Sequence, residues 1–452
     1  MEHKSRVIHP ITEAEAARRF QPFTLATQWL QDNRALFMNA GSLVATTAVT
    51  SALGFAYWWL AARLFPPDAV GLASAAVSAM MLLGAIGVLG LGTLLIGELP
   101  RQPGRQGAII MASLLVAGIA SGVLAVLFAL AAPLLSPELT PFSSSAGNIF
   151  FFAAGVVFTA VTIVIDQALI GLLRGGLQLG RNTLFAVAKL GILYLVSLWA
   201  SREAGLNIYV AWMLGNLLSL VTLAGYLWLR GIRVIHRPQW DLIRTLRRAA
   251  LAHHAVNLVL QAPSLLMPLA VTTLLSASAN ASFYAAWMVV SFAFVIPSHL
   301  ATVLYAVGAG DPSALVNKLR MTMRLSLMLG VPVAGGLFLV ADPLLNLFGA
   351  HYAEQADWCL RLLSIGIFPL IIKYHYVALL RVYGKLEGAM LLLLGGSLLE
   401  MVLVVIGLEL GALTGLSIGW LVAVSVEAVW MYFKIHQTIT QPLPTETAAV
   451  AA

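Results

Sequence analysis

Arg63, Asp166, Lys189, His253, Lys373, Glu400 and Glu427 each interrupt an otherwise apolar stretch of this chain. A lone charge in hydrocarbon costs about 2.5–3.5 kcal/mol on insertion scales, so each needs a partner, water or a ligand. The cations Arg63, Lys189, Lys373 and a protonated His253 suit an anionic ligand in a wet cleft. The acids Asp166, Glu400 and Glu427 suit ion coupling or the pairing of those cations. Asp166 and Lys189 fall on neighbouring stretches at similar depth, so a salt bridge between them is expected. Glu400 is a candidate proton site, or else the partner of Lys373. Lys189 and Lys373 lie about two turns from a basic end. They can snorkel to it, pair within a bundle or hold substrate. Arg63 either binds ligand or holds a loop by donating to backbone carbonyls.

Two polar stripes accompany these charges. Ser42, Thr46 and Thr50 recur at i, i+4, i+8, as do His253, Asn257 and Gln261, so each set follows one helix face. Every member of one set lies 211 residues from its counterpart in the other. Asn39 and Gly54 extend the first stripe, and Ser264 extends the second. A polar stripe facing lipid is costly. The stripes therefore face each other across a central cavity, or they are the polar residues that commonly pack membrane helices together. Both readings stand for Ser42, Thr46 and Thr50; His253, Asn257 and Gln261 are read as cavity lining.

The elements carrying these residues follow from composition. Of 452 residues, 60% are hydrophobic and 10% charged, against about 25% charged in a soluble domain. That excludes a soluble enzyme, a nucleic-acid module and a secreted scaffold. The apolar blocks are long enough to cross a bilayer. Twelve are read, over 36–64, 72–97, 108–135, 149–173, 183–200, 208–229, 249–275, 283–307, 319–341, 358–380, 388–408 and 411–433. With the N-terminus in the cytoplasm, most of the 26 Lys and Arg fall on the cytoplasmic side, as the positive-inside rule requires. Both termini are then cytoplasmic. The net charge of +7 is thus a topology signal, and no nucleic-acid partner is expected. Cys359 is the single cysteine, which excludes an internal disulfide.

The chain reads as a cytoplasmic segment 1–35, a six-helix bundle 36–229, a basic linker 230–248, a second six-helix bundle 249–435 and a tail 436–452. Segment 1–35 lacks the pattern of a signal peptide. Its Phe20, Phe23, Trp29 and Leu30 fit a short amphipathic surface helix, and the linker fits a second one. The halves resemble each other. Leu172-Leu173-Arg174 and Leu379-Leu380-Arg381 close spans 4 and 10, and Pro133-Leu134-Leu135 and Pro343-Leu344-Leu345 close spans 3 and 9. Six spans per half make this a parallel repeat, which places substrate between the bundles. Prolines within spans favour the second half, at Pro263, Pro268, Pro297, Pro332 and Pro369, against Pro133 in the first. That predicts bending of spans 7 and 8 while the first bundle moves as a rigid body.

At this point the chain resembles the multidrug/oligosaccharidyl-lipid/polysaccharide (MOP) exporter superfamily, and within it the Wzx-like polysaccharide and O-antigen flippases. The resemblance rests on Ala62-Arg63-Leu64-Phe65-Pro66-Pro67-Asp68-Ala69-Val70-Gly71-Leu72, where Phe65-Pro66 replaces the usual Leu-Gly. It rests also on Leu89-Gly90-Leu91-Gly92 with Leu99-Pro100-Arg101, and on Asp166-Gln167-Ala168 through Arg174, Arg181-Asn182 and Lys189-Leu190. In the second half, Phe348-Gly349-Ala350-His351-Tyr352-Ala353 is similar to an outer loop of the family. The motifs span about residues 36–435, and their order carries more than any one of them. The resemblance implies an all-α membrane protein of MATE/MOP type, with two six-helix bundles that open alternately to each side of a bacterial cytoplasmic membrane. It implies flipping of a polyprenyl-(pyro)phosphate-linked saccharide, with membrane lipid and polysaccharide-assembly enzymes as partners. The nearer rival is a cation-coupled multidrug antiporter of the same superfamily.

The sequence holds no Walker A loop, no HExxH and no Asp-rich metal motif. No enzyme activity and no cofactor or metal are expected. A membrane glycosyltransferase or polymerase would need a large catalytic loop, and the spans leave no room for one.

Overall fold

The computed structural model describes residues 34–199, 205–233, 235–310 and 315–440. Phe20, Phe23, Trp29 and Leu30 lie outside the described residues, as does the tail beyond residue 440. The apolar blocks are helices. Span 1 is Arg34–Leu64, span 2 is Pro67–Val88 with Leu91–Glu98, and span 3 is Gln106–Leu135. Spans 4, 5 and 6 are Ala146–Gly171, Gly175–Trp199 and Gly205–Leu229. Spans 7, 8 and 9 are Trp240–Leu274, Ala277–Gly310 and Leu315–Leu339. Span 10 is Ala350–Ile365 with Ile367–Val382, and Met390–Thr440 holds spans 11 and 12.

Local sequence explains several boundaries. Pro66 is extended and Pro67 occupies the first helical position of span 2, where a missing N–H costs nothing. The Ser145 hydroxyl accepts from Asn148 N at 3.1 Å and caps span 4. Spans 11 and 12 turn back on each other at Gly411 and Ala412, which leave helical geometry. The hairpin packs Gly407 on Gly415 and Gly419 on Leu403, contacts in which any added Cβ would overlap a carbonyl.

One of the two helix breaks falls where no proline marks it. Span 2 breaks at Leu89 and Gly90, with φ of 52° and 77°. Span 10 bends by 44° at Gly366, three residues before Pro369, which has no N–H to donate to Ile365 O. Span 7 instead runs unbroken through Pro263 and Pro268. The linker also differs from expectation: residues 235–239 form no helix, and helix starts at Trp240. The basic run 240–248 is therefore the first turns of span 7, not a separate surface helix. Span 10 likewise starts earlier than expected, at Ala350.

Span 2 lies at the centre. It packs on spans 3, 4 and 6 of the first half and on spans 7 and 8 of the second. Of its apolar window 72% is buried, against 22% for span 3, whose sides are left for lipid. At the face opposite the basic loops the halves are sealed. Gly71 meets Ala277 so closely that a Cβ would overlap the Ala277 carbonyl oxygen. Asn280 donates to Gly71 O at 2.9 Å and to Ser74 Oγ at 3.0 Å.

Candidate functional site

A cavity of about 360 Å³ occupies the second half, on the side toward the basic loops. Span 7 contributes Asn257, Gln261 and Ser264; span 8 contributes Trp287, Phe294, Ser298 and Thr302. Span 10 adds Lys373, Tyr374 and Arg381, and the 11–12 hairpin adds Glu400 and Trp420. Trp287 and Phe294 are seven residues apart, two turns on one helix face. Both rings contact Trp420, at 5.4 and 5.7 Å between centroids. Arg381 donates to Asn257 Oδ1 at 3.3 Å.

An ionic triad lies at the cavity wall. Lys373 Nζ sits 2.5 Å from Glu400 Oε1 and 2.9 Å from Glu427 Oε2. Trp420 Nε1 donates to Glu400 Oε2 at 2.9 Å, so Glu400 has two donors. All three ionisable groups are buried. Gly396 makes the arrangement sterically feasible: a Cβ there would stand 2.6 Å from Glu427 Oε2. Two carboxylates against one ammonium leave the triad one negative charge when both are ionised. A single proton or monovalent cation would balance it. Lys373 is therefore committed to carboxylates rather than free for an anionic ligand.

The first half holds its charges differently. Asp166 pairs with Arg181, not with Lys189. Arg181 Nε and Nη2 donate to Asp166 Oδ1 and Oδ2 at 3.0 and 2.8 Å, and Asn182 donates to Oδ2 at 3.1 Å. The reason is helix length. Span 5 starts at Gly175, which moves Arg181 from the expected loop into the helix, beside the end of span 4. Arg181 also donates to Ser219 on span 6 at 3.2 Å, so the cluster ties three spans together. Lys189 sits instead in an aromatic box. Its Nζ is 3.5 Å from the Trp212 ring centroid, 4.8 Å from Phe185 and 4.9 Å from Tyr57. It is 3% exposed, and no carboxylate faces it among the described residues. Trp212 also lines a smaller cleft of about 230 Å³ with Gly54, Trp58 and Tyr284, between spans 1, 6 and 8.

The remaining candidates separate. Arg63 donates from Nε to Leu347 O at 2.9 Å and from Nη2 to Asn346 O at 3.4 Å, holding the segment between spans 9 and 10. Thr46 is buried, and Thr50 Oγ1 turns back to Thr46 O at 2.7 Å. Neither lines the cavity beside Lys373. The side chains of Ser42 and His253 lie outside the described residues. Asn257 and Gln261 are thus brought together with Lys373 and Glu400 at the cavity, with Glu427 behind them, whereas Arg63, Asp166 and Lys189 stand elsewhere. Sequence reasoning passed over Arg381, taken only as a topology charge, and the Trp287, Phe294 and Trp420 wall. The i, i+7 aromatic spacing on span 8 was the available signal. No metal-binding group of His, Cys, Asp and Glu forms among the described residues.

Comparison with known proteins agrees with this architecture. The MatE family model matches residues 255–406, about a third of the chain. No curated protein matches. Among solved structures, the chain is similar to a multidrug resistance MATE family transporter of the MOP superfamily in its inward-facing conformation. The two share 16% identity and a TM-score of 0.66, over 88% of this chain and 99% of that one. An outward-facing structure of such a transporter matches at 14% identity and a TM-score of 0.60, over 90% and 96% of the two chains. A MOP superfamily transporter from Pyrococcus furiosus, described as having a binding pocket of reverse polarity, matches at 15% identity and 0.62, over 90% and 96%. The fold is therefore the all-helical, two-lobed, twelve-helix architecture of MATE transporters, and the chain is a multi-pass membrane protein.

Proposed function

We propose that the chain is a transporter that moves an amphiphilic substrate across a bacterial cytoplasmic membrane by alternating access, as a cation-coupled antiporter of the multidrug type. One observation carries this reading: an aromatic-walled cavity lies directly against the Lys373, Glu400 and Glu427 triad. Trp287, Phe294 and Trp420 offer apolar faces to a ring or chain, and the triad's unbalanced charge supplies a site for one exchanged cation. The two halves form bundles 36–229 and 249–435, related as a parallel repeat. Both termini face the cytoplasm, which puts the basic loops inside. The seal at Gly71, Ala277 and Asn280 then closes the outer side. On this reading the transport cavity opens inward; the TM-score is 0.66 to the inward-facing structure and 0.60 to the outward-facing one.

A second reading, the flipping of a polyprenyl-(pyro)phosphate-linked saccharide, draws on Asn257, Gln261, Ser298, Thr302 and Arg381, which offer hydrogen bonds and one cation to a sugar phosphate. On that reading, polysaccharide-assembly enzymes are its partners. Proteoliposomes with an imposed proton or sodium gradient separate the two. Gradient-driven movement of ethidium, lost in Trp420→Ala, supports the antiporter. Absence of such movement, with translocation of a short-chain polyprenyl-pyrophosphate saccharide instead, overturns it in favour of the flippase.

A further inference from the structure

A second cavity, of about 380 Å³, lies in the first half at the face of the basic loops. Its walls are apolar and come from spans 3, 4 and 6, with Ile110, Leu114, Leu169 and Leu223 among them. Its rim is basic: Arg174 from the end of span 4, and Arg233 and His236 from the linker. The linker is held there by design of the backbone. Gln239 N donates to Ala108 O at 3.2 Å, and His236 Nε2 lies 2.9 Å from Arg233 O. Gly107 leaves the room the His236 ring needs, because a Cβ there would clash with that ring. Arg174 and Arg233 are exposed and have no acidic partner among the described residues. Exposed Trp228 and Trp240 flank the linker, as aromatic residues do at a membrane–water boundary.

An apolar chamber beneath unpaired cations at the membrane boundary has the chemistry of one ligand class. We propose that it binds an anionic phospholipid, with an acyl chain between spans 3, 4 and 6 and the phosphate between Arg174 and Arg233. Charge complementarity selects this occupant over a zwitterionic lipid, since basic pockets between helices on the cytoplasmic side hold anionic head groups. The bound lipid would tie the linker, the only covalent connection between the halves, to the base of the first half. The site is separate from the transport cavity and does not depend on which substrate that cavity carries.

Native mass spectrometry of the full-length protein tests this, using phosphatidylglycerol and phosphatidylcholine of identical chains. Phosphatidylglycerol should stay bound at collision energies that strip phosphatidylcholine. Retention should fall about fivefold for each arginine removed in Arg174→Gln and Arg233→Gln. Ala224→Trp, which fills the chamber without touching a charge, should also reduce it. Arg320→Gln with Arg324→Gln, basic but on span 9, should leave it unchanged. Glycerol phosphate should not compete. Equal retention of both lipids, full retention in the double arginine variant, or displacement by glycerol phosphate would overturn the proposal. Circular dichroism and melting temperature of each variant identify any that fails to fold. If Ala224→Trp is lost in this way, Leu223→Phe takes its place.

Discussion

Gly71 on span 2 and Ala277 at the start of span 8 touch backbone to backbone, with no volume for a side chain between them. This contact joins the two halves at the face opposite the basic loops, so it sets how tightly that face closes. Gly71→Ala should push the helices apart and open the protein at that face. Cys359 is fully buried and serves as a silent background. A cysteine placed at Ser291, which lines the cleft on the basic-loop side of the seal, should then label several-fold faster with an impermeant maleimide added at the sealed face. Unchanged labelling would mean that the seal does not govern access.

Removing the ammonium of Lys373 should be costly to the fold. Lys373→Ala leaves Glu400 and Glu427 facing each other in a buried site, and losing one member of a buried ionic cluster costs about 3–5 kcal/mol. The variant should melt at lower temperature in detergent and accumulate poorly in membranes. Lys373→Met combined with Glu400→Gln and Glu427→Gln should recover much of that stability without recovering gradient-driven transport. A stable, active Lys373→Ala protein would show that the triad matters to neither.

Lys189 predicts the opposite balance. A cation in an aromatic box gains from the rings, but among the described residues no carboxylate offsets its burial. Lys189→Met keeps the length and packing of the side chain while removing the charge. It should melt at the same temperature or higher, and lose transport by about tenfold, the pattern of an intramembrane charge kept for function. Lower stability with intact transport would make Lys189 a structural residue.

Arg181 holds Asp166 through two parallel donors, a geometry lysine cannot reproduce. Arg181→Lys should lower stability by about 1.5–3 kcal/mol, the range for hydrogen bonds to charged groups, measurable as a drop in melting temperature. Arg181→Lys with the wild-type melting temperature would reduce the cluster to a chance contact.

Apolar block lengths carried the overall architecture, because bilayer thickness fixes how many residues a crossing needs. Partner choice among buried charges did not follow in the same way. Asp166 had two cations within reach along the chain, and the start of span 5 decided between them. The triad draws Lys373, Glu400 and Glu427 from three successive spans, so its membership depended on helix rotation, which hydropathy does not report. The break in span 2 was hidden for a related reason. Leu89, at φ 52°, has no sequence mark comparable to proline, whereas Pro263 and Pro268 were accommodated within one continuous helix.

Trp59 Nε1 and Arg63 Nε both donate to the same acceptor, Leu347 O, each at 2.9 Å. That acceptor belongs to the main chain, which every residue type possesses. Substitutions at positions 346 and 347 thus leave the contact standing, whereas a change at either donor removes part of it outright. The burden of inheritance falls on one partner alone: the segment between spans 9 and 10 is free to drift in side chain, and Trp59 and Arg63 are not.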